Sequence, residues 1–161
     1  MSRSRRASVI ALVVTGVLVI AIGLLGSLET LVWAPLAMTD DAYDLADIEG
    51  IVGAEVFAAA RIVMIVWALA GIAAVVGMAW VVRQGASLPV VLLIGAALVW
   101  LGPFSLVWAG FGLGNTISDE VPPYVGSWSP VGFALHWFGV AAFVAVLGFG
   151  VLALVRAVRS R

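Results

Sequence analysis

The sequence predicts an all-α integral membrane protein, a four-helix transmembrane bundle with both termini in the cytoplasm and two acidic outer loops. Three observations predict it. Hydrophobic residues make up 64% of the 161 and charged residues 11%, with a mean hydropathy of +1.21, far from the soluble average. Four apolar stretches, residues 7–28, 56–82, 88–108 and 131–155, are each long enough, at ~1.5 Å per residue, to cross a hydrocarbon core of ~30 Å. The third observation is the segregation of charge.

Seven of the eight arginines lie at Arg3, Arg5 and Arg6, at Arg83, and at Arg156, Arg159 and Arg161. All nine acids lie elsewhere: Glu29, Asp40, Asp41, Asp44, Asp47, Glu49 and Glu55 in one connection, Asp119 and Glu120 in another. By the positive-inside rule both termini and the Arg83 turn are cytoplasmic, and the loops 29–55 and 109–130 face outwards. One membrane domain uses up this length. The absence of cysteine excludes disulfides and thiolate metal sites. The absence of lysine beside abundant Ala, Val, Gly and Arg fits a GC-rich bacterial genome, so a bacterial plasma membrane is the expected location.

The first stretch follows the basic run Arg3-Ser4-Arg5-Arg6, but it exceeds the ~7–15 residues of a signal-peptide core and no A-x-A site follows it closely. A retained helix is predicted, with Gly23 and Ser27 as a small-residue pair that lets another helix approach. In the first outer loop, Leu31-Val32-Trp33-Ala34-Pro35 reads as an interfacial aromatic anchor ended by proline. Thr39-Asp40-Asp41 then reads as a helix start, predicting a short surface helix over 41–48 that stops at Gly50. Asp40-Asp41-Ala42-Tyr43-Asp44 spells DDxxD and so resembles the magnesium-diphosphate motif of prenyl-transferring enzymes. Those enzymes need a second acidic motif, which the chain lacks, so a solvated charged loop is the simpler reading.

The second stretch carries Arg61 inside the hydrocarbon, on the order of 8 Å from its outer end. A guanidinium at mid-bilayer costs at least ~2.5 kcal/mol, so a partner or snorkelling to the headgroups is required. Ala70/Ala74 and Ala73/Gly77 offer small-residue faces, and Trp80 beside Arg83 marks the inner interface. The turn over 83–87 is too short for anything but an antiparallel neighbour. In the third stretch Gly102-Pro103 predicts a kink beside Ser105. The loop 109–130 is full of turn formers, including Gly110, Gly112, Gly114, Pro122, Pro123 and Gly126, with Trp108, Tyr124 and Trp128 as an outer aromatic belt. The last stretch begins after Pro130 and ends in arginines suited to a helix C-terminus and an anionic inner leaflet.

Depth counting puts Arg61, Ser105 and His136 in nearly one plane with Glu29 just above, an expected outer-leaflet polar cluster, and Trp67 and Trp100 at a deeper matched level where they would floor a cavity. One histidine without cysteine supplies neither a bis-histidine haem nor a metal cluster, so no cofactor or metal is expected. Ser105, His136 and Glu29 form a triad on paper, but no G-x-S-x-G signature supports it and no enzymatic activity is expected. The expected partners are the bilayer and another membrane protein or a second copy, with no nucleic acid. The expected function is that of a non-catalytic accessory or interaction protein; the rival is a small oligomeric transporter or channel working through the polar cluster.

Overall fold

The computed structural model describes residues 3–122, 124–126 and 128–159, and no strand occurs among them. Helix α1 (Arg3–Leu28) runs through a π-helical turn (Glu29–Trp33) into α2 (Ala34–Met38); α3 is Leu45–Val52, α4 Ala54–Arg83, α5 Leu88–Glu120 and α6 Pro130–Arg159. Four helices are long and apolar enough to cross a membrane: Ser4–Met38, Ala54–Arg83, Leu88–Glu120 and Pro130–Arg159. Their outward faces carry Ile10, Val17 and Leu24, Ile62, Val66 and Val76, and Val144, Val151 and Leu154, all exposed. In water such a continuous apolar surface would drive aggregation, whereas against acyl chains it carries no penalty.

The two ends of the bundle differ in charge. Ser4, Arg5 and Ser8 of α1 share a recess with the α4–α5 turn at Arg83, which makes one end basic. At the other, acidic end the two long connections are tied by a hydrogen bond from the Val125 N–H to the Met38 carbonyl, 3.0 Å. Helix α5 is the hub. It packs against α1, α4 and α6, while α4 also packs along α1 and α6 barely touches it. Close crossings rest on glycine: a Cβ at Gly71 of α4 would lie 3.1 Å from Val19 of α1, and one at Gly139 of α6 would lie 3.1 Å from the Pro103 ring of α5.

Apolar residues gather into two clusters. Ile22, Met64, Val99, Leu106, Leu135 and Ala142 fill the middle of the bundle. Ile48, Val52, Phe57, Ala60, Leu113, Ile117 and Val121 form a second core at the acidic end, joining α3 to the last turns of α5 and the first of α4.

The acidic end departs from the sequence reading in three places. Pro35 does not end the first helix. It lacks an N–H, and its ring would press on the carbonyl four residues back; the π turn, in which the Ala34 N–H reaches the Glu29 carbonyl, widens the ladder just before it. Thr39-Asp40-Asp41 is a turn and not a helix start. Asp40 and Asp41 both sit in the left-handed region, φ 51° and 56°, which short polar side chains tolerate best. The surface helix therefore begins later, with Asp44 as its cap, accepting from the Asp47 N–H at 2.8 Å, and it runs through Gly50 to stop at Gly53, φ +100°. With two of the DDxxD acids in a turn and the third capping a helix, no single helical face presents them.

The third departure is the largest. Residues 109–120 continue α5 for three more turns where a Gly-rich loop was expected. Gly110 and Gly114 serve close approach instead of turning: Cβ atoms there would lie 3.2 Å from Thr30 and 3.3 Å from Met38 of the α1–α2 extension. Leu113 and Ile117 are held in the acidic-end core, and that burial outweighs the weak helix propensity of glycine, about 1 kcal/mol per residue. Pro123 of the expected loop lies outside the described residues, as does Arg161 of the cationic tail.

Candidate functional site

The expected polar layer separates into three unlike parts. The first is built on Glu29, at the start of the π turn. The residue is 8% exposed, and its carboxylate accepts a short hydrogen bond from the Ser129 hydroxyl. Ser129 is also the N-cap of α6: its Oγ accepts from the Gly132 N–H at 3.0 Å and its carbonyl accepts from the Phe133 N–H at 3.0 Å. One hydroxyl thus links a helix N-terminus to a buried carboxylate. The positive end of the α6 dipole favours a negative charge there, and the absence of a side chain at Gly132 makes room for it, since a Cβ would lie within 2.9 Å of Glu29 Cδ.

Glu29 borders a cavity of about 290 Å³ between the α1–α2 extension, α5 and the start of α6, near the lower end of small-molecule sites. Leu106 and Leu135 form its apolar base, and Tyr124, Trp128 and His136 line its mouth. His136 is exposed and lies edge-on to Trp128 at 5.5 Å and to Trp137 at 5.9 Å. Glu29, Ser129 and His136 therefore line one cavity.

Arg61 belongs to the second part. Its guanidinium pairs with Glu49 of α3 at 3.0 Å and rests 5.9 Å from the Phe57 ring. The side chains are 52% and 27% exposed, so the pair is half open and Glu29 is not its partner. The reason lies in the late start of α3, which places Glu49 over the first turns of α4. Half-exposed pairs contribute ~0.2–1 kcal/mol. Arg61→Leu and Glu49→Gln are each expected to lower stability by no more than about 1 kcal/mol, with little further loss in the double variant, and Arg83→Leu by less still. Chemical unfolding in detergent micelles checks this; a loss of several kcal/mol for Arg61→Leu alone would mean that a buried charge had been orphaned.

The third part is deeper. Trp67 Nε1 donates to Ser105 Oγ at 2.7 Å, and Ser105 in turn donates to the carbonyls of Leu101, 2.6 Å, and Gly102, 3.1 Å, in the turn before and around Pro103. Ser105 and Trp67 border a second cavity of about 230 Å³ between α1, α4 and α5. Trp100 lines neither cavity; its ring lies tilted against Phe104 and Phe143 at 5.4 and 5.1 Å. Ser105 and Arg61 thus do not join Glu29, and the paper triad of Ser105, His136 and Glu29 is not assembled.

Sequence reasoning missed Ser129 and Glu49. Ser129 before Pro130 has the signature of an N-cap followed by proline at the first helical position, but nothing local tells that its hydroxyl reaches a carboxylate a hundred residues earlier. Among the described residues no group of three or more His, Cys, Asp or Glu is placed to hold a metal ion. Comparison with protein-family models, with curated proteins and with solved structures finds no match.

Proposed function

We propose that this chain is a multi-pass protein of a bacterial plasma membrane, with both termini cytoplasmic and the acidic end outside, that acts without catalysis as an accessory or interaction subunit. One observation supports it above others. Small residues on α4 and α6 point away from the chain's own bundle: Ala73 and Gly77 on α4 and Ala141 and Gly148 on α6 are exposed, and a Cβ at Gly77 or Gly148 would meet nothing within 4 Å. In lipid, where apolar burial gives helices no net drive to associate, such faces are where backbones approach closely and gain dispersion contacts. The glycines that face inwards are each met by a neighbour within the bundle, as at Gly71 and Gly139. These two have none, so a helix from another chain is the natural complement.

Gentle extraction from the native membrane, followed by mass determination, tests this reading. A complex containing a second membrane protein in fixed ratio is the expected outcome; a monomer carrying only lipid would contradict it. A small oligomeric transporter or channel is the second reading, favoured by the Glu29 and His136 cavity, and a homo-oligomer that comes out alone would point to it.

A further inference from the structure

Among the described residues no cationic side chain pairs with the Glu29 carboxylate. Arg5, Arg6, Arg83, Arg156 and Arg159 of the described residues lie at the opposite end, the sequence has no lysine, and Arg61 is held by Glu49 at 3.0 Å. No ion pair among the described residues reaches Glu29, and the one titratable base lining the same cavity is His136, whose ring lies against Trp128 and Trp137. A carboxylate that is nine-tenths buried is costly unless it is paired. The Ser129 hydroxyl and the α6 N-terminus turn partial positive charge towards it but supply no full counter-charge.

The space in front of it has the shape and chemistry to receive a cation with an apolar body. The cavity of about 290 Å³ is lined mostly by carbon, with Leu106 and Leu135 at its base and the rings of Tyr124 and Trp128 at its mouth. An inorganic divalent cation takes six or more oxygen ligands, and the side chains lining the cavity offer one carboxylate and the hydroxyls of Thr30, Tyr124 and Ser129. An ammonium needs one good acceptor, gains from aromatic faces, and can bury its hydrocarbon.

We propose that this cavity is a binding site for an organic ammonium, held at its charged end by Glu29 and at its apolar end by the α5–α6 walls. Two sources share that chemistry, a free hydrophobic amine and the ethanolamine headgroup of a lipid. The site stands apart from the accessory reading and is unaffected by the absence of a protein partner.

The test uses the full chain in dodecyl maltoside micelles, which carry neither charge nor ammonium, with 2-phenylethylammonium and its uncharged analogue 2-phenylethanol as probes in titration calorimetry. The amine should bind saturably at one per chain and the alcohol roughly ten- to a hundredfold more weakly, the range expected for one charge-assisted hydrogen bond. Glu29→Gln should reduce amine affinity by a similar factor and leave the alcohol unchanged. If that variant does not fold, Trp128→Ala carries the test, since this ring is exposed at the mouth; a loss of about two- to fivefold for the amine is expected. Adding phosphatidylethanolamine distinguishes the sources: competition with the amine assigns the site to the lipid headgroup, and no competition assigns it to a free amine. Equal affinities for amine and alcohol, or amine binding unchanged in the folded variants, would overturn the proposal.

Discussion

Gly95→Leu is expected to cost the protein most of its folded yield. Gly95 lies in α5 where α1 and α4 both press against it: a Cβ there would stand 2.5 Å from Thr15 Oγ1 and 3.3 Å from Met78 Cε. Thr15 is 6% exposed and Met78 2%, so neither has room to withdraw. A leucine can be admitted only if α1 and α4 move off the hub helix, which opens contacts along both crossings at once. Overpacking a well-filled site costs ~1–3 kcal/mol and more when backbones must shift; a loss of at least about 3 kcal/mol is expected here. Gly112→Leu on the same helix is the matched control, because a Cβ at Gly112 meets nothing within 4 Å. The measurement is the monodisperse fraction after extraction and the unfolding midpoint of that fraction. If the two variants behave alike, the three helices do not converge at Gly95 as described.

The second large effect is expected from Gly132→Ala, and its sign is informative. On helix propensity alone alanine should stabilise α6, by less than the ~0.8–1 kcal/mol of a helix interior because Gly132 lies in the first turn. The built Cβ, however, falls within 2.9 Å of Glu29 Cδ and closer still to its Oε1. The carboxylate can escape only by turning from Ser129, which leaves a buried charge without its donor and the Ser129 hydroxyl without its acceptor. Orphaning a buried polar group costs ~1–3 kcal/mol and more for a charge, so a net loss of about 2 kcal/mol is expected. Glu29→Ala in the same chain should recover most of it, since the clash and the charge both disappear. Thermal unfolding of the two single variants and the double variant decides the matter: additive losses would mean that Gly132 and Glu29 do not meet.

The four spans were legible in the sequence because hydropathy over some twenty residues is a summed property that no single contact can reverse. Their acidic-end limits were not. Glycine has two uses, turning a chain and letting another approach, and the run from Gly110 to Gly114 gives no sign of which applies until Thr30 and Met38 are known to lie opposite. Thr39-Asp40-Asp41 has the letters of a helix start, yet the usable cap is Asp44, because only from there do Ile48 and Val52 face the buried end of α5. Pro35 reads as a stop, and a wider helical turn accommodates it.

The candidate site was legible in part for the same reason. Depth counting set Glu29 just above the plane of His136, and they do share a cavity. Depth says nothing of direction around a helix, so it also enrolled Arg61 and Ser105, which face Glu49 and Trp67. It could not find Ser129, whose role depends on the turn that carries the chain from α5 back to α6.

Orientation bears the rest of the account, because an accessory protein that offers its acidic end to partners must hold that end outside. The chain lacks cysteine, so single cysteines at Ala46, Gln84 and Glu120 can each be probed in intact cells with a membrane-impermeant maleimide. All three positions are exposed. Ala46→Cys and Glu120→Cys are expected to label fully before lysis and Gln84→Cys only after it. Labelling of Gln84→Cys in intact cells, with Ala46→Cys protected, would invert the topology and contradict the proposed function.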